Sequence, residues 1–193
     1  MLTPEGSIKE AKALSGRSAV LKEVLAREQQ FGNAVEVLGD WDGDDIPEIA
    51  ISEIGHPDRG TGRVFICWMQ ADFTVKKLQL LDPAEHEALA SLRPGQIFGH
   101  SLAYLGDLAG DGNHTLAVGA PLHDGGGHQK GSFWLIKMDK EGIPQSIQPV
   151  MGDQNGFTGF IETDDRFGMG LAPIGDMNGD SIPDLVVSAI RND

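Results

Sequence analysis

The sequence predicts an all-β fold built from β-propeller blades, each of them a four-stranded antiparallel sheet. The first observation is an internal repeat, in which three segments align without gaps: GDWDGDDIPEIAIS (39–52), GDLAGDGNHTLAVG (106–119) and GDMNGDSIPDLVVS (175–188). Each segment follows a Phe-Gly pair, at Phe31, Phe98 and Phe167, so that the units are 67 and 69 residues long. The second observation is that four short strand-like runs fit within each unit.

The second unit contains these four runs most clearly: SLAYLGD, TLAVGAP, GSFWLIKM and PQSIQPV. Short runs of aliphatic, β-branched and aromatic residues bounded by Gly, Asp and Pro are typical of strands, and none of them has a helical period. A small sheet in each unit must bury its faces against its neighbours, which favours propeller blades with the repeated Phe between them. A β-sandwich or a solenoid of similar strand content is the alternative.

The repeats define the organisation of the chain as one propeller domain, 1–193. Its parts are a tail strand of a preceding blade (1–30), repeat 1 (31–97), repeat 2 (98–166) and the first half of repeat 3 (167–193). Two segments do not read as plain strands. Residues 82–92 can form one or two helical turns as an insertion, and residues 19–30 are ambiguous between helix and strand.

Each aligned segment begins with an acidic loop between two apolar runs. Ca²⁺ takes about six to eight oxygen ligands, and the loop offers side chains at positions 1, 3, 5 and 9 and a carbonyl at position 7. Because crowded carboxylates repel one another without a cation, we predict two Ca²⁺ sites. The first site would use Asp40, Asp42, Asp44, the Ile46 carbonyl and Glu48. The site in the third loop would use Asp176, Asn178, Asp180, the Ile182 carbonyl and Asp184.

The second loop departs from this pattern, because Ala109 stands at position 3 and Thr115 at position 9. Its remaining donors are Asp107, Asp111 and the Asn113 carbonyl, so we expect weak metal binding or none. An EF-hand loop also begins with alternating Asp, but it requires an acidic residue at position 12, where these loops have Ile or Val. The alternative to a metal site is a solvated Asx-type turn between two strands.

The second repeat, FGHSLAYLGDLAGDGNHTLAVGAP (98–121), resembles the FG-GAP repeat of the integrin α-subunit N-terminal propeller and of its bacterial relatives. The other repeats match in part, since SEIG and SAIR replace the Gly-Ala-Pro. The resemblance implies blades of a seven-bladed propeller, with structural calcium loops on the underside, away from the ligand face. It also implies an extracellular or cell-surface protein that recognises a protein or carbohydrate, as in cell adhesion.

Composition narrows the partners and the chemistry. The chain carries 29 acidic and 15 basic residues and a net charge of −14, which argues against nucleic acid or an anionic membrane as a partner. No run of about 18 apolar residues is present, so we expect no membrane insertion. The single cysteine, Cys67, excludes an internal disulfide, and its apolar surroundings indicate a buried small side chain rather than a nucleophile.

The phase of the repeats predicts an incomplete propeller. Two whole units stand between the tail of one unit and the head of another, and three blades cannot close a ring. We expect either an arc of a longer propeller or a homo-oligomer by strand exchange, in which the tail of one chain completes the last blade of another. Unpaired sheet edges and exposed faces between blades disfavour a monomer.

Two functional classes remain. One is a calcium-binding recognition module without enzymatic activity, and the alternative is an ancillary domain of an extracellular hydrolase or polysaccharide-degrading enzyme. Acidic groups that recur with the period of the fold are typical of structural ion sites, so we favour the first class. The segment 121–131 also contains His123, Asp124 and His128, which suit a transition metal, although an exposed Gly-rich turn is the favoured interpretation.

Overall fold

The computed structural model describes residues 3–18, 20–25, 30–55, 60–125, 127–152 and 156–191. Within these ranges the chain forms two four-stranded sheets and one two-stranded sheet, all with antiparallel pairing. Blade 1 contains β1 (Gln30–Gly39), β2 (Glu48–Ile54), β3 (Arg63–Met69) and β4 (Val75–Leu81). Blade 2 contains β5 (Leu102–Gly106), β6 (His114–Ala120), β7 (Ser132–Met138) and β8 (Pro144–Val150). Half-blade 3 pairs β9 (Leu171–Gly175) with β10 (Asp184–Val187).

Each four-stranded sheet is a simple meander in which every strand pairs with the next one along the chain. The register is the same in both blades: Ile49 pairs with Cys67 in blade 1, and the aligned residues Leu116 and Ile136 pair in blade 2. The first strands of successive sheets, β1, β5 and β9, are neighbours. The predicted all-β fold of four-stranded blades is therefore confirmed.

A β-bulge ends the first strand of every unit just before its acidic loop. The register shifts at Gly39, at Gly106 and opposite Gly175, and these glycines have φ values of +80°, +76° and +73°. Glycine adopts this left-handed conformation without steric cost, and the extra residue of a bulge bends the strand. The repeated Leu-Gly-Asp or Ile-Gly-Asp sequence thus turns the chain out of the sheet and into the loop.

The main core lies between blades 1 and 2, because alternate residues of each strand point to one face of its sheet. Blade 1 contributes Leu38, Ala50, Val64, Ile66 and Trp68, and blade 2 contributes Leu116, Val118, Trp134, Ile136 and Met138. Phe98 is fully buried in this core, with its ring centroid 5.7 Å from that of Trp134. Phe167 occupies the corresponding place between blade 2 and half-blade 3, as the repeated Phe predicts.

Backbone hydrogen bonds join successive blades at the Phe-Gly pairs. The N–H of Phe98 donates to the Thr61 carbonyl at 2.8 Å, and the N–H of Phe167 donates to the Lys130 carbonyl at the same distance. Within blade 2, the N–H of Gly99 donates to the Gly119 carbonyl at 2.9 Å and fixes the Phe-Gly turn to β6. A Cβ on Gly119 would lie 2.3 Å from the Gly168 carbonyl oxygen. The Gly of the Gly-Ala-Pro sequence is therefore required by the close approach of two backbone segments.

The N-terminal residues pack on the outer face of blade 1. Leu14, Leu21 and Val24 contact the cluster formed by Phe65, Cys67 and their neighbours, and Leu21 is fully buried. Among the described residues before Gln30 the only helix is a 3-10 turn at Leu21–Glu23, and no strand is assigned there. The tail strand predicted for 1–30 therefore stays a prediction, and residues 1, 2, 19 and 26–29 of it lie outside the described residues.

Two further 3-10 turns, Pro83–Glu85 and Glu87–Leu89, form the helical insertion predicted for 82–92. Asp82 starts the first turn, since its side chain accepts the N–H of Ala84 at 2.9 Å. In the part of the chain that the structure describes, no helix has the length and apolar character needed to cross a membrane.

Candidate metal centre

The loop between β1 and β2 gathers four carboxylates. Asp40, Asp42, Asp44 and Glu48 each place an oxygen so that all four atoms lie within 4.8 Å of one another. The three aspartates are exposed, whereas Glu48 is fully buried at the start of β2. The side chains at positions 1, 3, 5 and 9 thus converge as the sequence pattern predicts, and four negative charges share a small volume.

The backbone of the loop folds around Asp40. Its Oδ1 accepts the N–H of Gly43 at 2.7 Å, and its Oδ2 accepts the N–H of Asp45 at 2.8 Å. These bonds, with the Asp45 N–H first, hold the pKa of Asp40 below its ordinary value. Asp44 in turn accepts the N–H of Ile46 at 3.0 Å, so the Asp residues shape the turn as well as supplying oxygens.

Glu48 is the least satisfied group in the loop. Its Oε2 accepts the Trp41 N–H at 2.6 Å, but its buried Oε1 has no hydrogen-bond partner. Burial raises the pKa of Glu48, and the negative charges of Asp42 and Asp40 raise it further. A buried carboxylate oxygen without a partner is costly, and a cation bound among these four side chains would satisfy it. The donor set therefore fits a hard cation.

Lys76, on β4, supplies the positive charge that the loop has in this structure. Its Nζ lies 2.9 Å from Asp42 Oδ2 and 3.1 Å from Asp44 Oδ2. These hydrogen bonds, that to Asp42 being the stronger, raise the pKa of Lys76. The ammonium reaches two of the exposed aspartates and leaves Glu48 Oε1 without a partner. One lysine thus balances only part of the charge of the four carboxylates.

The third loop repeats the hydrogen bonds of the first loop. Asp176 accepts the N–H groups of Gly179 at 2.6 Å and Ser181 at 2.8 Å, and Asp184 accepts the Met177 N–H at 2.8 Å. Asp180 accepts the N–H of Ile182 at 2.8 Å and the side-chain amide of Asn178. Ile182 is the residue whose carbonyl is predicted to be a metal ligand. Among the described residues, however, only the first loop brings three or more acidic, His or Cys side chains within metal-binding distance. The second calcium site stays a prediction.

The second loop differs as its sequence indicates. Asp107 accepts the N–H groups of Asp111 at 3.1 Å and Gly112 at 2.7 Å, as the first aspartate does in the other loops. Asp111 forms an ion pair with Lys137 of β7 and accepts both the N–H and the side-chain amide of Asn113. Its charge is therefore balanced within the blade, which is consistent with the weak or absent metal binding expected there.

Sequence reasoning did not identify Lys76 or Lys137, because neither residue lies in a loop motif. Lys76 reaches the first loop from the fourth strand of blade 1, while Lys137 reaches the second loop from the third strand of blade 2. The register of each sheet decides which lysine stands beside an acidic loop, and that register becomes visible only when the strands are paired. The alignment of the repeats alone gives no indication, since the two lysines are not at equivalent positions.

The two histidines of the 121–131 segment point to different partners. His123 is buried, with its Nδ1 2.6 Å from Ser132 Oγ, while the exposed His128 places its Nδ1 3.1 Å from Asp164. They and Asp124 form no metal-binding group among the described residues. The interpretation as an exposed turn is right for His128 and wrong for His123, because the ring of His123 packs on Trp134.

Comparison with known proteins links the chain to integrin α subunits, although no family model matches it. It is 30% identical over 132 residues to integrin alpha-5 of Xenopus laevis, covering 68% of this chain and 11% of that protein. It is 36% identical over 96 residues to integrin alpha pat-2 of Caenorhabditis briggsae, covering 49% and 7%. It is 30% identical over 161 residues to integrin alpha-PS2 of Drosophila melanogaster, covering 79% and 10%.

The chain spans about a tenth of the length of these relatives. The observed sheets have the order and the spacing that the FG-GAP repeats predict. The loop with the four carboxylates joins the first two strands of blade 1. Together these observations show that the chain is integrin-α-like and is built from FG-GAP β-propeller repeats.

Proposed function

We propose that this chain is a calcium-stabilised propeller module for recognition of a protein or carbohydrate outside the cell, as in cell adhesion, without enzymatic activity. The observation that carries the calcium role is the buried, unpartnered Oε1 of Glu48 within the cluster of four carboxylates. The recognition role rests on the integrin α relatives.

The chemistry of the loop favours Ca²⁺ over other metals. All the donors are oxygens, whereas zinc and copper sites use His or Cys. Mg²⁺ keeps several waters and is usually held by one or two carboxylates, which suits a site with four carboxylates less well. Asp40, Asp42, Asp44 and Glu48 would hold the ion together with the Ile46 carbonyl. A bound ion would neutralise the loop and fix the connection between β1 and β2.

The alternative function is an ancillary domain of a hydrolase. The acidic groups are repeated with the period of the blades and serve in each loop to hold backbone N–H groups, which supports a structural role. The alternative predicts hydrolytic turnover that is lost in Asp176→Ala at unchanged stability. Loss of stability on calcium removal, without any turnover to lose, supports the recognition module.

Thermal unfolding with and without calcium tests the metal role. A ligand at about 100 times its Kd stabilises the folded state by about 2.7 kcal/mol, which raises the Tm of a chain of this size by roughly 5–10 °C. We expect this rise in the wild type and a much smaller one in Asp42→Asn, whose side chain bonds only Lys76 among the described residues. Glu87→Gln, an exposed acid in the 3-10 turn Glu87–Leu89 and outside the loops, is the control and should behave as the wild type.

We also propose that copies of the chain associate through its two end faces. Val35 and Val37 on β1 are 59% and 58% exposed, and they align with Leu102 and Tyr104, which pack against blade 1. At the other end, Val186 of β10 is 50% exposed. It aligns with Ala117, which packs between blade 2 and half-blade 3. The exposed parts of the two faces thus repeat the two sides of an internal interface, while Leu14, Leu21 and Val24 cover the centre of the blade 1 face.

Light scattering in calcium and then in chelator tests this association. We expect a dimer or larger ring in the wild type and a monomer in Val186→Asp, with Ile143→Asp as a control of equal exposure on another surface. Exchange of the 1–30 tail would in addition draw Leu21 out of its buried position on blade 1. A monomer for the wild type in calcium would overturn the association by either route.

A further inference from the structure

Lys76 occupies the part of the first loop where a metal ion would meet two of its ligands. The Nζ bonds Asp42 and Asp44 at once, and these two side chains also belong to the four-carboxylate cluster. An ion coordinated by these side chains shares two carboxylates with the ammonium, so that two positive charges would lie a few ångströms apart. The side chain is 45% exposed and stands on a flexible stem, so it can leave the loop without disturbing the core.

The surroundings of Lys76 resist its displacement. Beside the loop lies a cavity of 390 Å³ that is bordered by Lys76, Lys77 and Lys140. Lys77 already holds its Nζ 4.1 Å from the centre of the Trp68 ring. An ammonium that leaves Asp42 and Asp44 on this side approaches two other cations, and the acid Glu141 of the cavity wall already lies 3.9 Å from the ammonium of Lys140. Metal binding therefore has to break two charge-assisted hydrogen bonds and to bring like charges closer.

Blade 2 shows the limiting case of the same arrangement. There Lys137 pairs with Asp111 in a loop that has lost two acidic positions, and the aligned position of Lys76 is Gln145, which bonds Asp139 instead. Among the described residues, each of the two loops thus has one lysine as its cation partner. In the first loop, however, Lys76 bonds only two of four clustered carboxylates, and those of Asp40 and Glu48 remain.

We propose that Lys76 is an internal competitor of calcium, which lowers the affinity of the first loop and holds its aspartates together when the ion is absent. The inference rests on the proposed calcium role of that loop. If Lys76 has both effects, removal of its charge should raise the calcium affinity of the first loop and lower the stability of the metal-free chain.

Calorimetric titration with CaCl₂ at constant pH and ionic strength tests the proposal. Lys76→Gln should bind Ca²⁺ about three to ten times more tightly than the wild type, as expected for removal of one positive charge a few ångströms from the ion in a largely hydrated site. Lys76→Arg, which keeps the charge, should stay within about twofold of the wild type. Lys77→Gln removes an equal charge from the neighbouring residue and is the matched control.

Thermal unfolding in chelator supplies the second measurement, in which Lys76→Gln should have a lower Tm than the wild type. Equal calcium affinities for the wild type and Lys76→Gln overturn the proposal, and so does an equal gain in Lys77→Gln. If the wild type binds Ca²⁺ and only these comparisons fail, the proposed function stands. If neither the wild type nor Lys76→Gln binds Ca²⁺, the proposed metal role fails, and the inference fails with it.

Discussion

Glu48 and Trp41 are joined across the first loop by a 2.6 Å hydrogen bond from the Trp41 backbone N–H to Glu48 Oε2. The bond ties the second residue of the loop to the first residue of β2, and it uses only one of the two carboxylate oxygens. Asp184 makes the same bond to the Met177 N–H in the third loop. The ninth position of the loop therefore closes the turn whether or not an ion is bound.

Glu48→Gln should weaken calcium binding by about tenfold or more, because affinity in such loops depends on the number of charged ligands. Without calcium the variant should be at least as stable as the wild type, since it removes a buried charge with an unpartnered oxygen. Calorimetry gives the affinity, and urea unfolding in chelator gives the free energy of unfolding. Glu87→Gln serves as the control. A variant that binds calcium as tightly as the wild type would exclude Glu48 as a ligand.

Gly119→Ala should lower the free energy of unfolding by about 1–3 kcal/mol. A Cβ at this position would lie 2.2 Å from Ser101 Oγ and 2.3 Å from the Gly168 carbonyl oxygen, so that two blades would have to separate. Gly16→Ala is the matched control, because a Cβ there meets only Leu25 at 4.0 Å. Urea unfolding of the two variants should give clearly different midpoints. Similar midpoints would show that the blades adjust to the added methyl group at little cost.

Stability should fall as the pH decreases below about 6.5, because one buried and two half-buried histidines have lowered pKa values in the folded chain. Burial lowers the pKa of His100, His114 and His123 from the ordinary value of 6.5, and for His123 the nearby Asp124 opposes this only in part. The unfolded chain then binds more protons than the folded chain, so the free energy of unfolding rises with pH in this window. Each histidine contributes at most about 1.4 kcal/mol per pH unit.

The variant His123→Asn keeps an acceptor near Ser132 and removes one titrating ring. It should therefore reduce the slope of stability against pH between pH 5 and 6.5, as measured by urea unfolding at several pH values. An undiminished slope in His123→Asn would assign the acid sensitivity to other groups.

Cys67 should react with thiol reagents only when blade 1 opens. The side chain is fully buried, and burial raises the pKa of its thiol to about 12. Burial blocks access of the reagent to the sulfur, and the raised pKa lowers the fraction of the reactive thiolate. Labelling with a chromogenic disulfide should be slow in calcium, faster in chelator and complete within minutes in urea. Rapid labelling of the folded, calcium-loaded protein would mean that the outer face of blade 1 is open.

The repeats predicted the strands and their order because a short period fixes both the length of each strand and its neighbour. Leu38 and Leu105 align and bury equivalent surfaces, so a pattern found in one unit could be transferred to the next. The packing of the N-terminal residues on the outer face of blade 1 was less predictable. It depends on residues far apart in the sequence, such as Leu21 in one cluster with Phe65 and Cys67.

The first acidic loop was predictable from its spacing, because positions 1, 3, 5 and 9 of a tight turn converge for steric reasons. The lysines around the loops were not, since they arrive from strands whose register is set by the whole sheet. His123 was misjudged because its Gly-rich neighbours suggested a solvated turn, whereas the contact with Trp134 draws the ring inward. A local pattern shows which residues are close in sequence to a loop, and packing decides what else reaches it.

The joint between blades has a consequence for how such a chain can grow. Lys130 of blade 2 stands where blade 1 has Thr61, yet its carbonyl accepts the Phe167 N–H at 2.8 Å just as the Thr61 carbonyl accepts the Phe98 N–H at the same distance. The joint thus depends on main-chain atoms and survives a change of side chain. A duplicated repeat therefore carries the main-chain groups that bond it to the preceding blade, and its other surface residues can change in sequence without loss of these bonds.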